Sequence, residues 1–124
     1  MTTIWHNSRC STSRRVLEGL RAAGEAPEVV EYLKAGWTEA GLRALLAEAG
    51  MTARQALRAK EPLAGDLGLT AAGVTEAALI AAMVAHPVLV ERPFVRTAKG
   101  TALCRPAERL AGLLDHGAAG GRKP

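Results

Sequence analysis

The sequence is poor in aromatic residues, cysteine and histidine, and each shortage excludes a class of protein. Four aromatic side chains make up 3% of the chain, too few for a platform on which nucleic-acid bases could stack. Two cysteines are too few for the disulfide framework of a small secreted scaffold. Three widely separated histidines lack the spacing of a zinc site, so we expect no bound metal.

Long apolar runs and basic runs are also missing. The longest strongly apolar stretch, residues 77–85, is far shorter than a membrane-spanning helix, and the N-terminus lacks the basic-then-apolar pattern of a signal peptide. The net charge of +4 includes no run of five basic residues, so no nucleic-acid-binding arm is indicated. These absences predict a cytoplasmic protein with no membrane or nucleic-acid partner.

What the chain does contain is typical of a globular domain rich in arginine. Its 124 residues are 48% hydrophobic and 23% charged, a balance that supports a folded core without metal or disulfide. Arginine outnumbers lysine by twelve to four. Guanidinium groups bind oxyanions through paired hydrogen bonds, so this bias suits a phosphate-like ligand, although genomic base composition explains it equally well.

The first third of the chain predicts a strand–helix–strand unit. An opening strand over Thr2–His6, a helix over Thr12–Ala23 that ends at Gly24, and a second strand over Val29–Leu33 are joined by short connections. Connections of this length favour a parallel βαβ arrangement.

Residues 38–86 have the periodicity of helices, with Thr38 and Thr75 as predicted N-terminal caps. We therefore predict one domain over residues 1–114 with a helical insertion at about 38–86. The glycine-containing segment 115–124 has no large apolar side chain and is expected to be a flexible tail.

Strand character returns after this helical region. A brief strand is predicted over Val88–Val90, and a hairpin is predicted from Phe94–Thr97 and Thr101–Cys104 around a lysine–glycine turn. Pro106 is well placed as the first residue of a final helix. The chain thus begins as βαβ and ends as ββα.

Cys10 is the strongest candidate for chemistry. It lies in a polar turn after a predicted strand and just before a helix N-terminus, where main-chain N–H groups and the helix dipole favour a thiolate. Arg9 and Arg14 add positive potential, and His6 and Ser13 are candidate hydrogen-bond partners for the sulfur. The alternative interpretation is a small buried cysteine.

Counting from Cys10 excludes three familiar motifs. A phosphatase-type loop needs arginine where Val16 stands, and a dithiol redox motif needs cysteine where Ser13 stands. No glycine-rich loop leads into the lysine–serine or lysine–threonine pair of a phosphate-binding loop. Cys10 must act as a single thiol, and a resolving thiol must come from Cys104 or from another molecule.

Arg58, Arg92 and Arg105 stand out because each lies at the end of an element or beside a proline. For any one of them, a solvated surface charge is the ordinary interpretation, and an anion site requires that all three converge on Cys10. Cys104 is interpreted as an apolar cysteine at a strand end. The alternative is a second thiol that forms a disulfide with Cys10.

Several motifs then occur in one order and together resemble a known family. They are His6-Asn7-Ser8-Arg9-Cys10-Ser11-Thr12-Ser13-Arg14, Glu31-Tyr32-Leu33, Arg58-x-Lys60-Glu61-Pro62, His86-Pro87-x-Leu89-x-Glu91-Arg92-Pro93 and Leu103-Cys104-Arg105-Pro106. Over about residues 3–114 the chain resembles the glutaredoxin-coupled arsenate reductases. The resemblance implies a thioredoxin-like α/β fold, with a mixed four-stranded sheet flanked by helices and a helical insertion between the βαβ and ββα halves.

The resemblance also implies roles for the matched residues. The cysteine matching Cys10 attacks arsenate, the three arginines described above hold the oxyanion, and the residues matching His6 and Ser13 help to keep the thiol ionised. Arg14 has a secondary place in the same motif, and the peptide bond before Pro93 is expected to be cis.

The implied reaction uses partners and no bound cofactor. Glutathione is the expected co-substrate, glutaredoxin the expected protein partner, and the chain itself is expected to be a monomer. Electron counting supports an external thiol without any family knowledge. Reduction of As(V) to As(III) takes two electrons, and one thiol cannot supply both and return to its starting state.

Three departures from the family pattern keep other functions open. Ser8 stands where proline is usual, Gly36-Trp37 replaces a proline-rich junction, and Arg96 replaces a residue that is more often apolar. One alternative is a thiol oxidoreductase of the same fold with a different substrate. Another is a thiol-stress regulator that binds RNA polymerase, but such regulators typically carry Cys-x-x-Cys, and Ser13 argues against it.

Overall fold

The computed structural model describes residues 1–114, which form two compact units. The first unit contains Met1–Tyr32 and the described residues from Arg92 onward, and the second contains Leu33–Glu91. The second unit begins five residues before the predicted helical insertion and ends five residues after it. The flexible tail predicted over 115–124 lies outside the described residues.

The first unit is an α/β structure built on four strands. Its elements are β1 (Thr3–His6), α1 (Ser11–Ala22), β2 (Glu28–Glu31), β3 (Phe94–Thr97), β4 (Gly100–Leu103) and a terminal 3₁₀ helix (Ala107–Leu113). The strand order is β2-β1-β3-β4. β1 and β2 are parallel, whereas β3 is antiparallel to both β1 and β4, so the predicted mixed sheet with βαβ and ββα halves is confirmed.

The register of the sheet determines which residues meet at its edge. His6, the last residue of β1, pairs with Glu31, the last residue of β2. Because the two strands are parallel, the residues that follow them, Asn7 and Tyr32, leave the sheet at neighbouring positions. The side chains of Asn7 and Tyr32 therefore lie at the C-terminal end of β1, where the chain continues into α1.

One apolar cluster holds α1 and the terminal 3₁₀ helix on the sheet. Its buried members are Ile4, Val16, Leu20, Val95, Cys104, Leu110 and Leu113. The two helices approach closely at Gly19, where a Cβ atom would lie 2.9 Å from Leu110 Cδ2. Any larger residue at position 19 would require Leu110 or the backbone to move.

The second unit is helical. Its elements are α2 (Tyr32–Ala35, whose first residue belongs to the first unit), α3 (Glu39–Ala49), α4 (Ala53–Ala56), α5 (Pro62–Asp66), α6 (Glu76–Ala85) and a 3₁₀ turn (Pro87–Leu89). Both predicted caps are confirmed, because the hydroxyls of Thr38 and Thr75 each accept a main-chain N–H in the first turn of α3 and α6. No helix among the described residues combines the length and apolar character that a membrane crossing needs.

Two strand predictions differ from the structure. The segment predicted as a strand over Val88–Val90 is mostly the 3₁₀ turn, because Pro87 fixes a helical φ angle. Only Val90 pairs, in a single antiparallel bridge with Leu57. The second strand ends at Glu31 rather than at Leu33, which lies in α2.

The final helix is present and adopts the 3₁₀ form. Leu110 and Leu113 are three residues apart, and a helix with three residues per turn places both on the same side. Both side chains are buried in the apolar cluster.

Ile4→Ala should lower the free energy of unfolding by about 2–5 kcal/mol, because it removes buried methyl groups from the apolar cluster. Val29 pairs with Ile4 across the sheet but is 36% exposed. Val29→Ala is therefore the matched control and should cost less than about 1 kcal/mol. Urea denaturation measures both values, and equal losses would contradict the placement of the core.

Candidate active site

Cys10 lies at the junction of β1 and α1, as predicted. It is the N-cap residue of α1, with an extended backbone at φ −94° and ψ 121°. Its N–H donates to the Asn7 carbonyl over 3.0 Å, and its carbonyl accepts the Arg14 N–H over 3.0 Å. Cys10 is half-buried and lies at the positive end of the helix dipole.

Hydrogen-bond donors around Cys10 favour its thiolate form. Burial by itself raises the pKa of the thiol. Hydrogen bonds from the main-chain N–H of Ser13 and the side chains of Arg92 and Arg105 lower it by more, so the pKa lies below its usual value. Arg105 Nη1 is 3.8 Å from the sulfur. The donors outweigh the cost of desolvation and favour the thiolate, which makes Cys10 a candidate nucleophile.

His6 and Ser13 form a buried pair in the same turn. Ser13 Oγ lies 2.6 Å from His6 Nδ1 and accepts the Asn7 N–H over 3.1 Å. Burial lowers the pKa of His6, so the neutral ring is favoured at pH 7, and its Nδ1 shares a hydrogen bond with the serine hydroxyl. Ser13 therefore reaches the sulfur of Cys10 through its main-chain N–H, while its hydroxyl ties His6 to the turn.

Arg92 and Arg105 are the predicted arginines that the structure brings to Cys10. Both precede proline across a cis peptide bond, which was predicted for Pro93 and not for Pro106. Arg105 Nη1 also donates to the Arg92 carbonyl over 3.3 Å. Arg92 is only 9% exposed, and its Nε and Nη1 have no hydrogen-bond partner within residues 1–114. These two buried nitrogens of the Arg92 guanidinium group are donors that suit an anionic ligand.

The other predicted arginines have different partners. Arg58 belongs to the second unit, where its Nη1 lies 3.0 Å from Glu91 Oε1 and its Nε lies 3.7 Å from Glu61 Oε2. Arg14 is exposed, and its Nη1 donates to the Ser8 carbonyl over 2.9 Å. Arg14 therefore closes the turn before α1, and the oxyanion role of Arg58 stays a prediction.

Asn7 and Tyr32 were not predicted as site residues, yet the Asn7 carbonyl accepts the Cys10 N–H and Tyr32 interacts electrostatically with Cys10. The Asn7 side chain is buried, and its Oδ1 accepts the Arg9 N–H over 2.9 Å. Tyr32 is 1% exposed, and burial raises its pKa against the opposing influence of Arg92 and Asn7, so the phenol is protonated at neutral pH. Each residue directly follows one of the two paired parallel strands, β1 and β2. This shared position is the signal that could have identified them as site residues.

Cys104 has the opposite environment from Cys10. It is completely buried in the apolar cluster, and burial raises its pKa to about 12 in spite of the nearby charge of Arg109. A thiol with that pKa stays protonated at neutral pH. The structure therefore agrees with the interpretation of Cys104 as an apolar cysteine.

The described part of the chain contains no group of three or more histidine, cysteine, aspartate or glutamate side chains that could hold a metal ion. The groups that the structure brings together at this turn are one thiol and two nearby guanidinium groups.

Arg105→Ala should raise the pKa of Cys10, because it removes one of the two guanidinium groups that favour the thiolate. The pH midpoint of Cys10 alkylation by iodoacetamide should therefore move upward. Arg109→Ala is the matched control, since Arg109 acts on Cys104 and should leave this midpoint unchanged. Equal shifts in the two variants would show that net charge, rather than contact with Arg105, controls the thiol.

A mixed four-stranded sheet, with a cysteine of lowered pKa at the N-terminus of the first helix, defines a thioredoxin-like protein. The model of the ArsC family matches residues 5–113, a span that includes parts of both compact units. The chain belongs to the ArsC family.

Individual relatives agree with this membership. The chain is 49% identical over 116 residues to arsenate reductase ArsI2 of Synechocystis sp., covering 94% of this chain and 83% of that protein. It is 40% identical over 112 residues to the arsenate reductase of Escherichia coli K12, covering 90% and 79%. Among solved structures, arsenate reductase from Vibrio cholerae matches with a TM-score of 0.86 at 36% identity, covering 91% of this chain and 97% of that one.

Proposed function

We propose that this chain is an arsenate reductase in which the Cys10 thiolate attacks arsenate. The observation that carries the proposal is the Cys10 thiol, whose pKa is lowered, beside Arg105 and a buried Arg92, two of whose donor nitrogens lack a partner among the described residues. Relatives that share 40% and 49% identity with the chain are named arsenate reductases. Arsenate, like phosphate, carries about two negative charges near neutral pH, so an anionic nucleophile needs this positive charge.

In the first proposed step, the Cys10 sulfur forms a bond to arsenic and one arsenate oxygen leaves as water after protonation. Arsenic remains As(V) in this adduct. Arg92 and Arg105 orient the other oxygens and offset their charge through charge-assisted hydrogen bonds. The resemblance adds Arg58 to this group of oxyanion-binding residues.

The reduction itself needs a second thiol. Glutathione attacks the adduct, the two sulfurs together supply two electrons, and arsenite leaves as As(III) while Cys10 remains in a mixed disulfide. Glutaredoxin then takes the glutathione by thiol–disulfide exchange and regenerates the Cys10 thiol. Cys104 is a poor alternative because it is buried and protonated. This proposed cycle uses no bound cofactor and suits the cytoplasm, where thiols are kept reduced.

Cys10→Ser should abolish arsenate-dependent NADPH oxidation measured with glutathione, glutaredoxin and glutathione reductase. A serine hydroxyl is not ionised at neutral pH and cannot enter a disulfide. Cys104→Ser is the matched control and should retain most of the turnover, because it changes only a buried thiol of the apolar cluster.

Each other outcome has a definite meaning. Turnover that persists in Cys10→Ser would contradict the assignment of the nucleophile. If the wild-type chain shows no turnover while Cys10 still alkylates rapidly at neutral pH, the reactive thiol stands and arsenate is not its substrate. Loss of turnover in a folded Cys104→Ser variant would make Cys104 the resolving thiol.

Arg58→Ala and Arg92→Ala should each raise the KM for arsenate by about tenfold or more, because each removes charge-assisted hydrogen bonds to the oxyanion. Arg43→Ala is the control, since Arg43 forms an exposed pair with Glu39 and should leave KM unchanged. Steady-state kinetics distinguish the three variants. An unchanged KM in Arg58→Ala would remove Arg58 from the oxyanion-binding residues.

A further inference from the structure

The guanidinium of Arg58 is shared between two carboxylates. Its Nη1 lies 3.0 Å from Glu91 Oε1, and its Nε lies 3.7 Å from Glu61 Oε2. The side chains of Arg58 and Glu91 are only 15% and 18% exposed, so the shorter contact is largely shielded from water. An ion pair with this burial is stronger than an ordinary surface pair.

The backbone fixes this pair in place. Arg58 N–H donates to the Leu89 carbonyl over 2.7 Å, and Glu91 N–H donates to the Ala56 carbonyl over 2.8 Å. Between these two bonds, Leu57 and Val90 form the isolated antiparallel bridge. Two short segments thus run side by side, with Arg58 opposite Leu89 and Glu91 opposite Ala56. Arg58 and Glu91 are therefore diagonal neighbours on one side of the paired segments, and the backbone brings their side chains within reach of each other.

The two carboxylates in contact with Arg58 compete with an added anion. One guanidinium and two carboxylates carry a formal sum of −1, which offsets the positive charge that an oxyanion would need from Arg58. An arginine that binds arsenate must therefore give up at least part of its contact with a carboxylate. Glu91 holds Nη1 by the shorter contact and is the stronger competitor.

We propose that Glu91 is a positioning and specificity residue that occupies the Nη1 side of Arg58 until an oxyanion displaces it. The inference rests on the proposed role of Arg58 in arsenate binding. In the absence of substrate, Glu91 keeps the guanidinium ordered in one orientation. When substrate is present, the Glu91 carboxylate competes with it, so only an anion that outcompetes a carboxylate is retained.

The substitution Glu91→Gln removes the negative charge that competes with the oxyanion and keeps the hydrogen bond that positions Arg58. Glutamine has nearly the same shape, and its Oε1 still accepts from Arg58 Nη1, but it carries no charge. We expect the KM for arsenate to fall by roughly threefold to tenfold. Arsenate affinity measured by calorimetry in the Cys10→Ser background should increase by the same factor, without any need for turnover.

Two further substitutions provide matched controls. Glu61→Gln neutralises the carboxylate with the longer contact and should lower the KM less than Glu91→Gln does. Glu39→Gln neutralises a carboxylate 2.9 Å from Arg43 in an exposed pair of the same unit and should leave the KM unchanged. Thermal melting of each variant shows whether the fold is retained.

The outcomes separate this inference from the function on which it rests. If Arg58→Ala leaves KM unchanged, the proposed role of Arg58 fails and the inference fails with it. If Arg58→Ala raises KM but Glu91→Gln leaves it unchanged or raises it, only the inference about Glu91 is overturned. In the Arg58→Ala background, Glu91→Gln should no longer tighten arsenate binding, and a persisting effect would contradict competition for Arg58.

Discussion

The turn between β1 and α1 is the constraint on which the candidate site depends. The Asn7 carbonyl accepts the Cys10 N–H, and the Asn7 N–H donates to the Ser13 hydroxyl, so the turn is tied to α1 at two points. These bonds hold the sulfur at the positive end of α1. The parallel pairing of β1 with β2 places Tyr32 beside the same turn. A change that opened this turn would move the sulfur away from Arg92 and Arg105 together.

The two cysteines show that depth in the fold does not by itself determine reactivity. Removal from water raises the pKa of both thiols. At Cys10 this effect is outweighed by a main-chain N–H and two guanidinium groups, whereas the surroundings of Cys104 are mostly apolar. The pKa values of the two thiols therefore differ because hydrogen-bond donors surround one of them and not the other. Without those donors, the half-buried position of Cys10 would favour an inert thiol.

Local sequence patterns predict the parts of the site that depend on local structure. The strand, turn and helix around Cys10 have neighbouring signals. The prolines beside Arg92 and Arg105 only draw attention to them, and their place beside the thiol is implied by the family resemblance. The remaining contacts join residues that are distant in the sequence. The partners of Arg58 include Glu91, 33 positions away, and the meeting of Asn7 with Tyr32 requires the register of two strands. The 3₁₀ form of the terminal helix could not be predicted from the sequence either, because leucines three residues apart suit both an α-helix and a 3₁₀ helix.

The burial of Cys104 has a consequence for how the protein handles electrons. A fold with one accessible thiol and one completely buried thiol does not favour an internal disulfide as a store of an oxidising equivalent. In the proposed cycle, the second sulfur of the disulfide at Cys10 belongs to another molecule, and the oxidised protein is a covalent conjugate that is heavier than the reduced form. In that cycle the chain passes electrons between other molecules and does not store them. Its return to the reduced state depends on the concentration of thiols around it, not on a rearrangement of its own fold.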